Sequence, residues 1–384
     1  MPRPPAVTPS VAAMPGAIYS PRAVREADLE PRACPLNVGD TWFEPFEGGR
    51  MEDLHGAEYP ELNRYTATRG LAPLIDAIVE KVRARNELAC ERESVLVTAG
   101  ATAGLGCAVG MLASPDEEIL ILAPFWPLIR GIAQTFRARP VEVPFYDRVD
   151  SAAAAVEAVR ERLSPKSVAL YVSSPSNPTG RVLPESWLAA LAELACRENL
   201  WLLSDEVYED YVYEGRHVSL ARFAPERTLS AFSFSKAYGM AGNRTGYLVG
   251  PPAAIAQAEK IATHSFYSAP TAGQIAGLRA LQRGQAWVDR ARASYRAAGI
   301  DAAAALGLPA PQGSTFLFVD ARPALDERGI EGLLADCLED GVAVAPGGSC
   351  GRDYASWLRL CYTSAPPAEV GLAVSKLAKR LAAR

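Results

Sequence analysis

Apolar residues recur along this chain in two rhythms. From about residue 71, stretches with apolar residues at helical spacing alternate with short runs that are apolar or β-branched almost throughout. "LAPLIDAIVEKVRARNEL" (71–88) has the spacing of an amphipathic helix, and "ATAGLGCAVGMLA", "PLIRGIAQTFRA", "DSAAAAVEAVRERL" and "PESWLAALAELACREN" follow as further helices. Between them lie the strands "SVLVTAG", "EEILILAP", "PVEVPF", "SVALYVSSP", "LWLLSD" and "TLSAFSFS". Strands without polar alternation belong in a parallel sheet with helices over both faces. The pattern therefore predicts an α/β fold with right-handed crossovers and a ligand site at the carboxyl ends of the strands. Beyond about residue 270 come long helices ("AWVDRARASYRAAGIDAAAAL"), then "STFLFVDA", "GVAVAPGG", "WLRLCYTSA" and a last helix, which predicts a smaller α+β domain. The expected division is 1–45 as an N-terminal arm and part of the small domain, 46–275 as the large domain, and 276–384 as the small C-terminal domain. Residues 1 to about 35, punctuated by prolines, read as an arm that takes its order from other surfaces.

Composition narrows the function classes. With 384 residues, 49% of them hydrophobic, the chain supports two or three core-forming units. Lysines and arginines number 39 against 44 acidic residues, with no basic block, so neither nucleic acid nor an anionic membrane is the expected partner. Seven cysteines, odd in number and free of C-x-x-C, read as reduced thiols of a cytoplasmic protein. Three histidines without H-E-x-x-H argue against a transition-metal site. No apolar run reaches the roughly 18 to 20 residues of a membrane span, and the proline-broken N-terminus does not read as a signal peptide.

Four polar turns fall where strands should end: "TAGATAG" (98–104), "SSPSNPTG" (173–180), "SDEVY" (204–208) and "FSFSKAYGMAGNR" (232–244). Singly each reads as a turn, since Asn-Pro and Thr-Gly are ordinary turn residues. Gathered on one sheet edge they make a site. Ser233-x-Ser235-Lys236 followed by Gly242-x-Arg244-x-Gly246, with S-x-N-P-T-G before it and D-E-x-Y between, resembles the pyridoxal-phosphate-dependent aminotransferases of classes I and II, in the aspartate aminotransferase superfamily of fold type I. The likeness runs from about Leu36 to the C-terminus.

The resemblance implies a set of roles. Lys236 is the amine that forms a Schiff base with the aldehyde of pyridoxal 5'-phosphate, where a random lysine would more often snorkel at the surface. Arg244, Ser233 and Ser235 hold the phosphate, together with Ala101 and Thr102 at a helix N-terminus. Asp205 faces the pyridine nitrogen and keeps it protonated, although Ser-Asp-Glu at a strand end also reads as a helix cap. Tyr208 and Asn177 meet the phenolic oxygen, Trp126 stacks on the ring, and Glu206 has a local structural role. Arg359, flanked by two leucines, clamps the substrate carboxylate with help from Asn177 and the backbone of Gly39; buried there, it needs an anionic partner. Tyr65 reaches the phosphate of a neighbouring subunit in a homodimer with shared active sites, and Thr271 does likewise.

Three features depart from the family pattern. Pro311-Gln-Gly313-Ser-Thr-Phe316 replaces P-x-G-A-F-Y, and the segment from Gly39 to Pro45 is longer and richer in aromatics. No cation for a side-chain carboxylate stands out, which favours an L-amino acid with a neutral or aromatic side chain. Trp42 and Phe43 read equally as walls of that side-chain pocket and as packing for the N-terminal arm. The leading expectation is an aminotransferase that passes an amino group from that amino acid to a 2-oxo acid, with Lys236 as proton shuttle. A lyase, cyclase or decarboxylase using the same cofactor is the alternative. A nicotinamide-dependent dehydrogenase would need a dinucleotide fingerprint, which is missing; a cofactor-sensing regulator would need a helix-turn-helix extension, for which the N-terminus has no room.

Overall fold

The computed structural model describes residues 8–14 and 33–382. The arm expected over 1 to about 35 therefore lies mostly outside the described residues. In chain order the strands are β1 (Cys34–Pro35), β2 (Val95–Thr98), β3 (Glu118–Ala123), β4 (Arg139–Pro144), β5 (Ser167–Ser173), β6 (Trp201–Asp205), β7 (Thr228–Ser233), β8 (Gly246–Val249), β9 (Phe316–Asp320), β10 (Val342–Ala343), β11 (Ala345–Pro346) and β12 (Trp357–Cys361).

Seven of these form one sheet in the order β2-β8-β7-β6-β5-β3-β4. Its pairs are parallel except at β8, which runs antiparallel to β2 and β7. Every residue of β3 is buried, and its side chains divide by parity. Ile119 and Ile121 join the layer with the helices Gly100–Leu112 and Pro252–Ser265. Leu120 and Leu122 join the opposite layer, with Ala152–Arg160 and Glu185–Arg197. Burying such a side chain contributes about 1.5–3 kcal/mol, so strands apolar on both faces are stable only between two helical layers. That is the mostly parallel α/β architecture the pattern predicts.

Two details differ from the pattern. β8 is not among the expected strands: its "GYLV" opens on a glycine directly after the polar turn that carries Arg244, which masks it as turn. The strand expected through residue 235 stops at Ser233, whose hydroxyl caps a one-turn helix, Phe234–Ala237, by accepting from Ser235 N at 3.0 Å. Lys236 is thus delivered on a helical turn and not on a loop.

A three-stranded antiparallel sheet, β11-β12-β9, sets Arg359 opposite Phe318. "GVAVAPGG" was expected as one strand and is two. β10 pairs in parallel with β1, while β11, with Pro346 lacking an N–H, edges the sheet with β12. The helix Gln285–Ala305 and the last helix, Pro367–Ala382, bury Trp287, Tyr295, Val374 and Leu377 in the adjoining core.

Candidate active site

The carboxyl ends of β5, β6 and β7 open on one cavity of about 220 Å³. Asp205 and Tyr208 line it from the end of β6, Ser233, Ser235 and Lys236 from the end of β7, and Asn177 from the turn after β5. Ala101, Thr102, Trp126 and Arg244 complete the wall. Gly39 and Arg359 join through hydrogen bonds to Lys236 and Asn177 respectively.

Lys236 points its Nζ at the carbonyl of Gly39, 2.5 Å away. Its main chain is pinned from behind, where the Tyr211 hydroxyl donates to the carbonyls of Lys236 (2.8 Å) and Ala237 (3.1 Å). Burial pushes the Lys236 ammonium below the ordinary lysine range; Arg359 and Arg244 add to this, against Asp40 and Cys361. Gly39 is close-packed for a reason. A Cβ there would lie 2.6 Å from the ring of Phe316, so only glycine brings that carbonyl to the lysine.

Asp205 is buried, and burial raises its pKa to about 6. Opposing this, Oδ2 accepts from the Tyr171 hydroxyl at 2.5 Å and Oδ1 from Val207 N at 3.3 Å. Glu206, next in sequence, faces away into its own network. Burial would raise it, but His217 Nε2 at 2.7 Å and the hydroxyls of Ser204, Ser219 and Ser230 hold it below its ordinary value. Tyr208 is buried edge-on to Phe316 at 5.9 Å, and desolvation raises its phenol.

On the opposite wall, the helix Gly100–Leu112 begins without a side-chain cap, so its first N–H groups are available to an anion. Arg244, in the left-handed region at φ 50, reaches that helix end: Nη2 donates to Ala99 O at 3.4 Å and Nη1 to Ala241 O at 3.0 Å. A Cβ on Gly100 would sit 2.6 Å from Arg244 Nη2, and one on Gly246 would sit 2.7 Å from Ala101 N. Two glycines therefore allow guanidinium, strand and helix end to converge. Among the described residues no carboxylate pairs with Arg244.

Arg359 on β12 is only 3% exposed. Nη1 donates to Asn177 Oδ1 at 3.3 Å, Nη2 to Asn37 O at 3.0 Å, and the guanidinium stacks 4.7 Å from the Phe316 ring. Its Nε is buried with no partner, an orphaned charged donor that suits an incoming carboxylate.

Tyr65 does not line the cavity. It is 87% exposed and meets Tyr267 edge-on at 5.1 Å, while Thr271 donates to Arg64 O at 2.9 Å. Trp42 and Phe43 stack on each other at 4.8 Å and pack on Tyr295; Phe43 also meets Trp287. They serve packing, and neither lines the cavity. Asn37, Tyr171 and Tyr211 were missed in the sequence, whereas Phe316 falls in the stretch noted there as departing from the family pattern. A polar ring inside the aliphatic run "SVALYVS" was the available signal for Tyr171; Asn37 acts through its carbonyl, which no side-chain motif reveals.

A lysine amine of lowered basicity, a buried carboxylate and an anion cradle around one small cavity fit pyridoxal phosphate in their donor chemistry. The class I and II aminotransferase family matches residues 35–377. The aspartate/prephenate aminotransferase of Thermus thermophilus is 36% identical over 313 residues, covering 78% of this chain and 79% of that protein. The arginine–pyruvate transaminase of Pseudomonas aeruginosa is 31% identical over 356 residues, 88% of each. In structure, the chain resembles the Thermus thermophilus aspartate aminotransferase with maleate, with a TM-score of 0.89 at 29% identity, over 98% of this chain and 100% of that one. Sequence match, fold and cavity agree: the chain belongs to the class I and II aminotransferases, pyridoxal-phosphate-dependent enzymes of fold type I.

Proposed function

We propose that this aminotransferase takes its amino group from an L-amino acid with a neutral or aromatic side chain, using Lys236 as its proton carrier. The observation that carries the reading is the position of Lys236 Nζ, depressed in basicity and held at the Gly39 carbonyl in the cavity that Asp205 and Arg244 share. Arg244, Ser233, Ser235 and the N–H groups of Ala101 and Thr102 would hold the cofactor phosphate. Asp205 would hold the ring nitrogen, Trp126 the ring face, and Tyr208 with Asn177 the phenolic oxygen. When bound, pyridoxal phosphate supplies an aldehyde for the amine and a ring that withdraws electrons from the α-carbon.

Arg359 takes the α-carboxylate in this reading. A planar fork stacked on Phe316 and braced by Asn177 fixes both the charge and the angle of approach. Burial, with two nearby guanidinium groups adding to it, lowers the basicity of Lys236 and so favours its neutral form. The neutral Nζ accepts the α-proton and, as an ammonium, returns it to a neighbouring carbon. Leu105, Leu128 and Val207 line the cavity apolarly, which supports the choice of an uncharged side chain.

A homodimer with shared sites is part of the proposal. Its support is the exposed ring pair Tyr65–Tyr267 on the surface of the single chain. A cytoplasmic setting is supported by cysteines that are all free, and no described helix is long and apolar enough to cross a membrane. The decisive experiment titrates the near-ultraviolet/visible spectrum of the enzyme with a panel of amino acids, then adds 2-oxo acids. Neutral or aromatic donors should shift the band and an oxo acid restore it, and Lys236→Ala should lose both responses. Donors that release ammonia with no oxo acid able to restore the band would refute transamination here.

A further inference from the structure

Between its terminal serines β5 is aliphatic except for Tyr171, which lies fully buried in the layer that also holds Leu105, Phe125 and Leu203. Register pairs Tyr171 with Leu203 and Ser173 with Asp205, so Tyr171 and Asp205 point from the same face, two residues apart along the strands. A phenol in that layer needs a polar partner, and its Oη donates to Asp205 Oδ2 at 2.5 Å. The ring cannot turn away without opening the core. We propose that Tyr171 is a positioning residue whose hydroxyl keeps Asp205 ionised at neutral pH and fixed in orientation toward the site.

The surroundings make that bond necessary. Burial, and after it the charge of Glu206, raise Asp205; the Tyr171 bond is the largest influence holding it down, ahead of Val207 N, and the balance lies at about 6. Tyr146 and Tyr208 also face it, and burial keeps both phenols neutral. Losing a charge-assisted bond should raise the proton affinity of Asp205 roughly tenfold or more, enough to protonate about half of it or more at pH 7. Tyr171 acts through Asp205, so the inference rests on the proposed role of Asp205.

The test uses the full-length chain freed of cofactor and labelled with carboxyl ¹³C at aspartate. The Asp205 resonance is identified by its loss in Asp205→Asn. It should titrate near 6 in the wild type and about one pH unit or more higher in Tyr171→Phe, and an unmoved titration overturns the proposal. Pyridoxal phosphate affinity, read from fluorescence quenching, should fall in Tyr171→Phe at pH 7 and recover at pH 9, where Asp205 ionises again. A pH-independent loss would mean simple structural damage and also overturns it. If Asp205→Asn binds the cofactor as tightly as wild type, the role of Asp205 fails; if Asp205→Asn is weakened while Tyr171→Phe titrates normally, only Tyr171 is misassigned. Should Tyr171→Phe not fold, 3-fluorotyrosine at position 171 serves instead. Its ¹⁹F signal must follow a midpoint near 6, and a flat response from pH 5 to 8 overturns the proposal.

Discussion

Arg359→Lys keeps a positive charge on β12 and removes the planar fork. A guanidinium has five N–H donors, and Arg359 directs one at Asn177 Oδ1 and one at Asn37 O. Five less two leaves three, and the buried Nε is among them. A lysine has three donors on one atom. If it satisfies Asn177 and Asn37 it retains one donor for a substrate carboxylate, and the stacked contact with Phe316 is weakened. A substrate carboxylate therefore loses at least one charge-assisted hydrogen bond, about 1.5–3 kcal/mol. At 1.36 kcal/mol per factor of ten, kcat/KM should fall about 10- to 150-fold. The assay is the first half-reaction, followed by stopped-flow absorbance over a range of amino acid concentrations, with cofactor affinity measured separately by fluorescence. Cofactor affinity should hold, because Arg359 lies outside the cavity wall where Arg244 is proposed to hold the phosphate. A variant that binds its amino acid normally but loses cofactor would refute the division of labour between the two arginines.

Two further perturbations probe the opposite wall and the buried carboxylate. Gly100 sits at φ +79 with Arg244 Nη2 where a Cβ would go, so Gly100→Ala should cost about 1–2 kcal/mol from the backbone alone and weaken cofactor binding as Arg244 is displaced. Unchanged urea unfolding and unchanged affinity would rule out the cradle geometry. Asp205 has a folded pKa of about 6 against an ordinary 3.8, so its protonated form stabilises the cofactor-free fold fully below about 3.8. That contribution disappears as pH rises through 6, leaving a cost on the order of 3 kcal/mol. Asp205→Asn should accordingly stabilise the cofactor-free protein at pH 8 and leave it nearly unchanged at pH 4; equal gains at both pH values would disprove the burial argument.

The sequence by itself determined the layered fold and most of the site. Strands such as "EILILA" have no polar alternation, and burying both faces admits only a sheet between helices. The polar turns at the ends of β5, β6 and β7, which singly read as turns or caps, together carried the family resemblance that pointed to Asn177, Asp205 and Lys236, and all three line one cavity. Local pattern failed where the information is not local. β8 opens on a glycine directly after a polar turn, β10 pairs with β1 from the far end of the chain, and Trp42 and Phe43 owe their place to Tyr295.

Only the tertiary structure decided what surrounds each reactive group. The bond from Tyr171 to Asp205, the carbonyls of Gly39 and Asn37, and the fit of Gly100 and Gly246 against Arg244 and the helix end are relations between distant segments. A residue's identity states which proton or charge it can carry. The basicity of Lys236 and the acidity of Asp205 depend instead on how much water and which charges the assembled fold leaves beside them.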